Sequence, residues 1–243
     1  MILANARQRL SREDAQLAVR LVAREDADAQ NEMQQRLVDD GLDAILDDPR
    51  LPAAMLRSRY GAYASLPFFL YVMVRHALLR AGERDRAVSD YLAALLLAFG
   101  HKGRNERISE GDDELYDTLV SLLEDVNDRD PRRAFLVRAH LGNRALWVAG
   151  LFPDWVEQRK WRKGGPDLGY FEELGKRGFE LAAEHRIAEQ YGMSEVYAAV
   201  AARFGLLRVA LNSVSDALLF PNVNTPERLM RQVSDEARWK LAG

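Results

Sequence analysis

Two stretches of the chain set polar side chains among apolar ones, and those residues carry the chemistry the sequence could do. In residues 134–150 (AFLVRAHLGNRALWVAG) apolar side chains run nearly all round a helix. Arg133, His140, Asn143, Arg144 and Trp147 nevertheless fall along one stripe. Residues 203–220 (RFGLLRVALNSVSDALLF) repeat the pattern, with Arg208, Asn212, Ser215 and Asp216 on one side. An imidazole titrates near neutrality and suits acid/base work, and a guanidinium fork holds a carboxylate or another anion. If the two helices face each other, Arg144 is expected to pair with Asp216 while His140 and Asn212 complete the network. Two readings are open. Buried charges are usually paired, so these groups can simply satisfy one another and fix helix register. Alternatively His140, Asn143, Arg144, Trp147, Arg208, Asn212 and Asp216 line a pocket for an anionic ligand, with His140 as acid/base and Arg144 or Arg208 as charge stabiliser.

A second concentration runs from Trp155 to Lys163 (WVEQRKWRK). Between Arg132 and Lys163 eight basic residues stand against two acids, a local excess in a chain whose formal charge is −3. Trp155 and Trp161 interleaved with Arg159, Lys160, Arg162 and Lys163 can stack on bases and hold phosphates, or dock on an acidic partner such as the N-terminal arm of another copy. The plainer reading is a short helix that turns Trp155 inward and leaves its cations in water. So few charges favour that reading over nucleic acid, which is not expected as a partner.

Other chemistries lose their markers. The absence of cysteine removes disulfides, thiolate metal sites and thiol nucleophiles. Met73, Ala98, Val137 and Ala182 stand three before the four histidines, so the Glu-x-x-His pairs of carboxylate-bridged metal bundles are missing. His185 and Glu189 could share a metal at four-residue spacing, but such a pair on an Ala-rich helix is ordinarily a solvated face. No His-Glu-x-x-His, Gly-x-Ser-x-Gly, Walker loop or Gly-x-Gly-x-x-Gly occurs. No catalytic residue, metal ligand or cofactor is therefore assigned, although a helical enzyme would not need these motifs.

The elements that must position these residues read as helices throughout, because apolar residues recur at three and four and β-branched runs are lacking. Ser11 before Arg12-Glu13-Asp14 reads as an N-cap, opening a helix expected to run through Leu17 and Leu21 toward Met33 and Leu37. Proline breaks at Asp48-Pro49 and Leu51-Pro52 lead to a short helix ending near Tyr60. Ser65-Leu66-Pro67 opens an apolar helix to Gly82, and Asp85 starts another that Gly100 closes, the two forming a hairpin. The stretch from His101 to Asp112 is the most loop-like and is a candidate internal boundary. Further helices are expected over residues 113–127, 131–150 and 154–161. After the turn Gly164-Gly165-Pro166 come two long helices broken near Tyr191-Gly192. A final amphipathic helix from Pro226 carries Leu229, Met230, Val233 and Trp239. Gly175 and Gly178 mark a close helix crossing or a subunit contact. The fold class is all-α: an irregular bundle of about ten helices, with hairpins around two central apolar helices.

Composition agrees with a globular protein: 48% of residues are hydrophobic and 29% charged. Residues 1–50 hold seven basic and eleven acidic side chains, and read as a polar N-terminal arm attached to a main bundle over 51–243. Leu66–Val74 and Tyr91–Phe99 are apolar but closed by charged or polar residues, too short for the roughly 20 residues of a membrane span. With no secretory leader in MILANARQRLSRED, the expected location is the cytoplasm.

The run His140–Trp155 (HLGNRALWVAGLFPDW), the turn at 164–167 and the helix Tyr170–Arg186 together resemble a family of uncharacterised bacterial helical proteins. In that family a Leu-Gly-Asn/Asp segment, a Gly-Leu-Phe-Pro-Asp-Trp bend and a Tyr-Phe-Glu-x-x-Gly helix recur in this order. The likeness spans about Tyr60 to Arg231. It implies an all-helical fold and a complete protein, and it carries no activity or catalytic residue across. The functional expectation is a non-enzymatic cytoplasmic protein that acts by binding other proteins and itself, in a regulatory or scaffolding role. The alternative is a helical binder of an anionic small molecule, or an enzyme independent of metal, with its pocket between the two central helices.

Overall fold

The computed structural model describes residues 1–24 and 26–242, with side chains to residue 236. The chain divides into two compact units, one of residues 2–100 and one of residues 101–243 together with Met1. Fourteen α-helices, eleven of them seven residues or longer, and three short 3-10 turns account for the regular structure, with no strand among the described residues. The fold is thus the all-α bundle that periodicity implies. The division falls at the loop-like stretch after Gly100, not at residue 50, because residues 1–50 pack against residues 51–100 as part of the same unit.

The first unit contains α1 (Arg12–Ala23), α2 (Ala27–Asp40), α3 (Leu42–Leu46), α4 (Leu51–Arg57), α5 (Leu66–Arg80) and α6 (Arg86–Phe99). Ser11 and Asp14 form a reciprocal capping box at the start of α1. The same Asp14 carboxylate accepts from Ser65 N at 3.1 Å and Ser65 Oγ at 2.8 Å, so one acid ties the openings of α1 and α5 together. The expected run-on from α1 toward Met33 and Leu37 does not occur. Arg24 adopts a left-handed φ of 53°, and Asp26 caps a new helix by accepting from Asp28 N and Ala29 N. Asp48 staples the proline-rich break, accepting from Arg50 N and Nε at 2.9 Å each and from Arg36 Nη1 at 3.3 Å. α5 and α6 pack as the hairpin their apolar patterns require, burying Tyr71, Val72, Val74 and Leu78 with Tyr91, Leu92 and Leu95. Buried Arg75 is satisfied by Asp47, the Arg84 carbonyl and Ser89.

The second unit contains α7 (Leu119–Glu124), α8 (Pro131–Leu151), α9 (Pro153–Lys163), α10 (Leu168–Ala183), α11 (Arg186–Gln190), α12 (Ser194–Ala202), α13 (Phe204–Leu218) and α14 (Pro226–Ala242). α8 is the axis: it is buried along most of its length, with α10 and α13 packed on it. Asp130 caps it through Arg132 N at 2.9 Å, and Pro131 sits in the first turn where its missing N–H costs nothing. The glycines of α8 and α10 decide how close these helices come. A Cβ on Gly178 would lie 2.7 Å from Gly142 N and 2.8 Å from Arg138 O, so the crossing works only with hydrogen at that position. The expected close crossing is therefore made within the chain, between α10 and α8.

Two expectations fail in this unit. The helix expected over 113–127 is confined to Leu119–Glu124. The residues before it are pinned as extended chain: Tyr116 N donates to Glu106 O at 2.8 Å, and Arg133 of α8 gathers Asp112, Glu114, Asp125 and Asp128. The expected pair of long helices after the turn is four helices. His185 caps α11, Gly192 takes a φ of +64°, and α13 restarts after Arg203.

Candidate functional site

α8 and α13 do pack on each other, but their polar residues turn to different neighbours. On the α8 side, His140 is buried with Nε2 3.1 Å from the Asn105 carbonyl, which fixes the ring as a donor through that nitrogen. Burial, reinforced by the nearby Arg104 and Arg144 charges, pushes its pKa down to about 3. The imidazole is therefore neutral at physiological pH. Arg144, one turn further on, donates Nη1 to Asn105 O at 2.9 Å and to Tyr116 O, and Nη2 to Asp117 O at 2.6 Å. Asn143 is buried beside them, and Trp147 packs edge-on against Phe152 with ring centroids 5.9 Å apart. Arg133, the first residue of the expected stripe, serves the acidic cluster of Asp112, Glu114, Asp125 and Asp128.

On the α13 side, Arg208 is the largest fully buried side chain, 1% exposed. Its Nε donates to Glu172 Oε1 at 2.5 Å, Nη1 to Asn212 Oδ1 at 2.6 Å and Nη2 to Asp235 Oδ1 at 2.8 Å. Burial alone would pull this guanidinium down, yet the bonds to Asp235 and Glu172 carry its pKa above the ordinary value. Asn212 Nδ2 in turn donates to the Ala149 and Gly150 carbonyls, and Ser215 Oγ to Leu151 O at 2.6 Å, closing the end of α8. The anticipated Arg144–Asp216 pair does not form. Asp216 accepts from Arg231 Nη2 at 2.8 Å and lies 3.1 Å from Arg228 Nη2, both on α14. Of the seven residues expected to line one pocket, His140 and Arg144 thus bond to the 105–117 segment, whereas Arg208, Asn212 and Asp216 bond to α10, α14 and the end of α8.

Sequence reasoning passed over the partners that complete the second network. Asp154 at the start of α9 accepts from Arg228 Nε at 2.8 Å and from Arg231 Nη2 at 3.2 Å. Arg228 Nη1 also donates to the Phe220 and Val223 carbonyls at 2.6 and 2.7 Å. The signal was present: Arg228, Arg231 and Asp235 recur at three and four and so share one face of α14. That face is the buried one. Leu229, Met230 and Val233 point outward, with Met230 75% and Val233 67% exposed. From residue 226 to 236, α14 is therefore amphipathic with its charges inside. Trp239 lies outside the residues whose side chains are described.

The basic-aromatic segment is α9. It buries only Pro153 and Val156, and Trp155, expected to turn inward, is 48% exposed while Trp161 is 75% exposed. A helix so rich in cations has too few apolar positions to turn two indoles under it. Arg159 lies over the Trp155 ring, 5.2 Å from its centroid, and Lys160 Nζ reaches Asp167 at 3.4 Å. Arg159, Arg162 and Lys163 have no carboxylate within ion-pair distance among the described residues. Trp161 stands between two clefts of about 670 and 640 Å³. Phe152, Phe220 and Pro226 wall the first, and Glu172, Arg208 and Met230 wall the second.

No group of three or more potential ligands for a metal ion occurs among the described residues, and no helix there is long and apolar enough to cross a membrane. The pair His185 and Glu189 remains only a pair, since His185 Nδ1 accepts the α11 cap from Ile187 N at 3.1 Å. No family model, curated protein or solved structure matches this chain.

Proposed function

We propose that the protein works by binding proteins through the joint surface of α9 and α14, and that a second copy of the chain is its partner. The observation that carries this reading is the outward apolar face of α14. Leu229, Met230 and Val233 gain nothing where they stand, and with Trp161 they supply the aromatic and aliphatic anchors on which protein interfaces depend. Arg162, on the wall of one of the clefts beside Trp161, and Lys163, next to it in α9, have no carboxylate within ion-pair distance among the described residues, and they favour an acidic partner. The chain carries such an element in α2. That helix buries only Met33 and exposes Asp28, Glu32, Asp39 and Asp40 together with Val38. An acidic amphipathic helix laid into the grooves beside Trp161 is an ordinary mode of helix recognition.

Native mass spectrometry and light scattering of the intact protein test this. A dimer at low salt is expected, weakening as salt rises. Trp161→Ala is expected to weaken it, and the pair Asp39→Lys and Asp40→Lys to do the same. Adding Arg162→Glu and Lys163→Glu to that pair should restore association. A chain that stays monomeric at every concentration overturns the self-association, and so does a dimer indifferent to all of these changes.

A further inference from the structure

Apart from the clefts beside Trp161, the second unit holds a pocket enclosed by α7, α8, α9 and the start of α10. Its volume is about 460 Å³, inside the range of roughly 300–1,000 Å³ usual for small-molecule sites. The walls are mainly apolar, formed by Leu119, Val148, Val156 and Phe171, with Trp155 at the edge. Two arginines, Arg144 and Arg159, are among the residues that line it. Among the described residues Arg144 is bonded only to the neutral carbonyls of Asn105, Tyr116 and Asp117, with no hydrogen bond from its Nε. No carboxylate lies within ion-pair distance of it among the described residues; Glu106 and Asp117 act on it only from farther away. Burial accordingly lowers its pKa from the ordinary value. Arg159 has only the Trp155 ring beneath it. The contrast with Arg208, Arg228 and Arg231 is sharp, because each of those is matched by carboxylates. The residues that line this largely apolar pocket include two arginines without an ion-pair partner among the described residues and one acid, Asp117, an arrangement that suits a single negative charge carried on an apolar body.

We infer that this pocket binds a small amphipathic monocarboxylate, with its apolar part against Val148, Val156 and Phe171 and its carboxylate toward Arg144 and Arg159. The planar fork of arginine suits a carboxylate better than a bare point charge would. The site does not depend on self-association, since neither Trp161 nor any residue of α14 lines it.

Calorimetry and tryptophan fluorescence on the full chain test it, with octanoate, octan-1-ol and octylamine as probes below their aggregation concentrations. Octanoate is expected to saturate at one per chain and to bind at least tenfold more tightly than octanol, with no binding of octylamine. Arg159→Gln, at an exposed position that puts folding at no risk, should weaken octanoate at least fivefold and leave octanol unchanged. Val148→Phe, which fills the cavity, should weaken octanoate and octanol alike, and Trp161→Ala should change neither. The inference is overturned if octanoate does not saturate, if octanol matches it, or if Arg159→Gln has no effect. Loss of octanoate binding in Trp161→Ala also overturns it, by moving the ligand to the cleft beside α14.

Discussion

The same substitution, glycine to alanine, is expected to have opposite signs at two helical positions of the second unit, Gly178 in α10 and Gly205 in α13. Alanine gains about 0.8–1 kcal/mol over glycine in a helix interior, and less in a first turn. At Gly205 the new methyl would touch only Glu172 atoms, at 3.8–4.0 Å, which is ordinary contact. Stability should rise there by about 0.5 kcal/mol. At Gly178 the methyl would lie 2.7 Å from Gly142 N and 2.8 Å from Arg138 O, both backbone atoms of α8 that cannot swing aside. The helices must part by roughly half an ångström along a contact that includes Leu141 and Phe179, and a gap of that size forfeits a quarter or more of each dispersion well. Overpacking of this kind costs about 1–3 kcal/mol. Less the helical gain, the net loss at Gly178 is up to about 2 kcal/mol. A unit of this size should then melt up to about 8 °C lower for Gly178→Ala and about 1–2 °C higher for Gly205→Ala, by calorimetry or by near-UV dichroism. A Gly178→Ala protein stabilised as much as Gly205→Ala would refute the argument that backbone contact sets the α8–α10 spacing.

Two further outcomes rest on the buried charges. His140 is neutral in the fold, with a pKa of about 3, whereas the unfolded chain takes up a proton near 6.5. As pH falls below 6.5 the unfolded state binds a proton that the folded state refuses, so this contribution to stability is lost progressively down to about pH 3, amounting to roughly 2 kcal/mol at pH 5. His140→Gln should flatten that part of a urea-midpoint profile against pH, and a ring that titrates near 6.5 by NMR would contradict the assignment. Arg208→Met leaves Glu172 without its cation and Asp235 with only the longer Arg231 contact at 3.9 Å, and should cost about 3–5 kcal/mol in chemical denaturation, with Arg208→Lys in between; a loss below about 1 kcal/mol would mean the two acids find water instead.

Helix starts were legible wherever a short polar residue precedes the apolar run. Ser11, Ser65, Asp85 and Asp130 all cap where their chemistry says they should. What defeated the reading at 112–117 was tertiary: Arg133 and Arg144, projecting from α8, hold those residues out of a helix by their carboxylates and carbonyls. Local propensity has no access to a demand made from a different helix. The polar residues of α8 and α13 were legible as buried and as needing partners, and the four-residue step from Arg208 to Asn212 does place them in contact at 2.6 Å. Which partner each takes was not, because a helix nearly apolar all round offers no face that tells the two sides of α8 apart. The inward charges of α14 illustrate the opposite limit. The apolar residues Leu229, Met230 and Val233 mark the helix as amphipathic, but the pattern does not say that the buried face is the one bearing Arg228, Arg231 and Asp235.

That inversion changes how α14 responds to temperature. Between residues 226 and 236 only Arg228, Arg231 and Asp235 are buried, so lifting this segment away exposes ionic rather than apolar surface. Apolar exposure raises the heat capacity of a protein and polar exposure lowers it. The core over α8 therefore has a stability that bends with temperature and weakens on cooling. Over residues 226–236 the seam of α14 contributes little of the term that causes that bend, so its ion pairs with Asp154 and Asp216 are expected to weaken less on cooling than the apolar core.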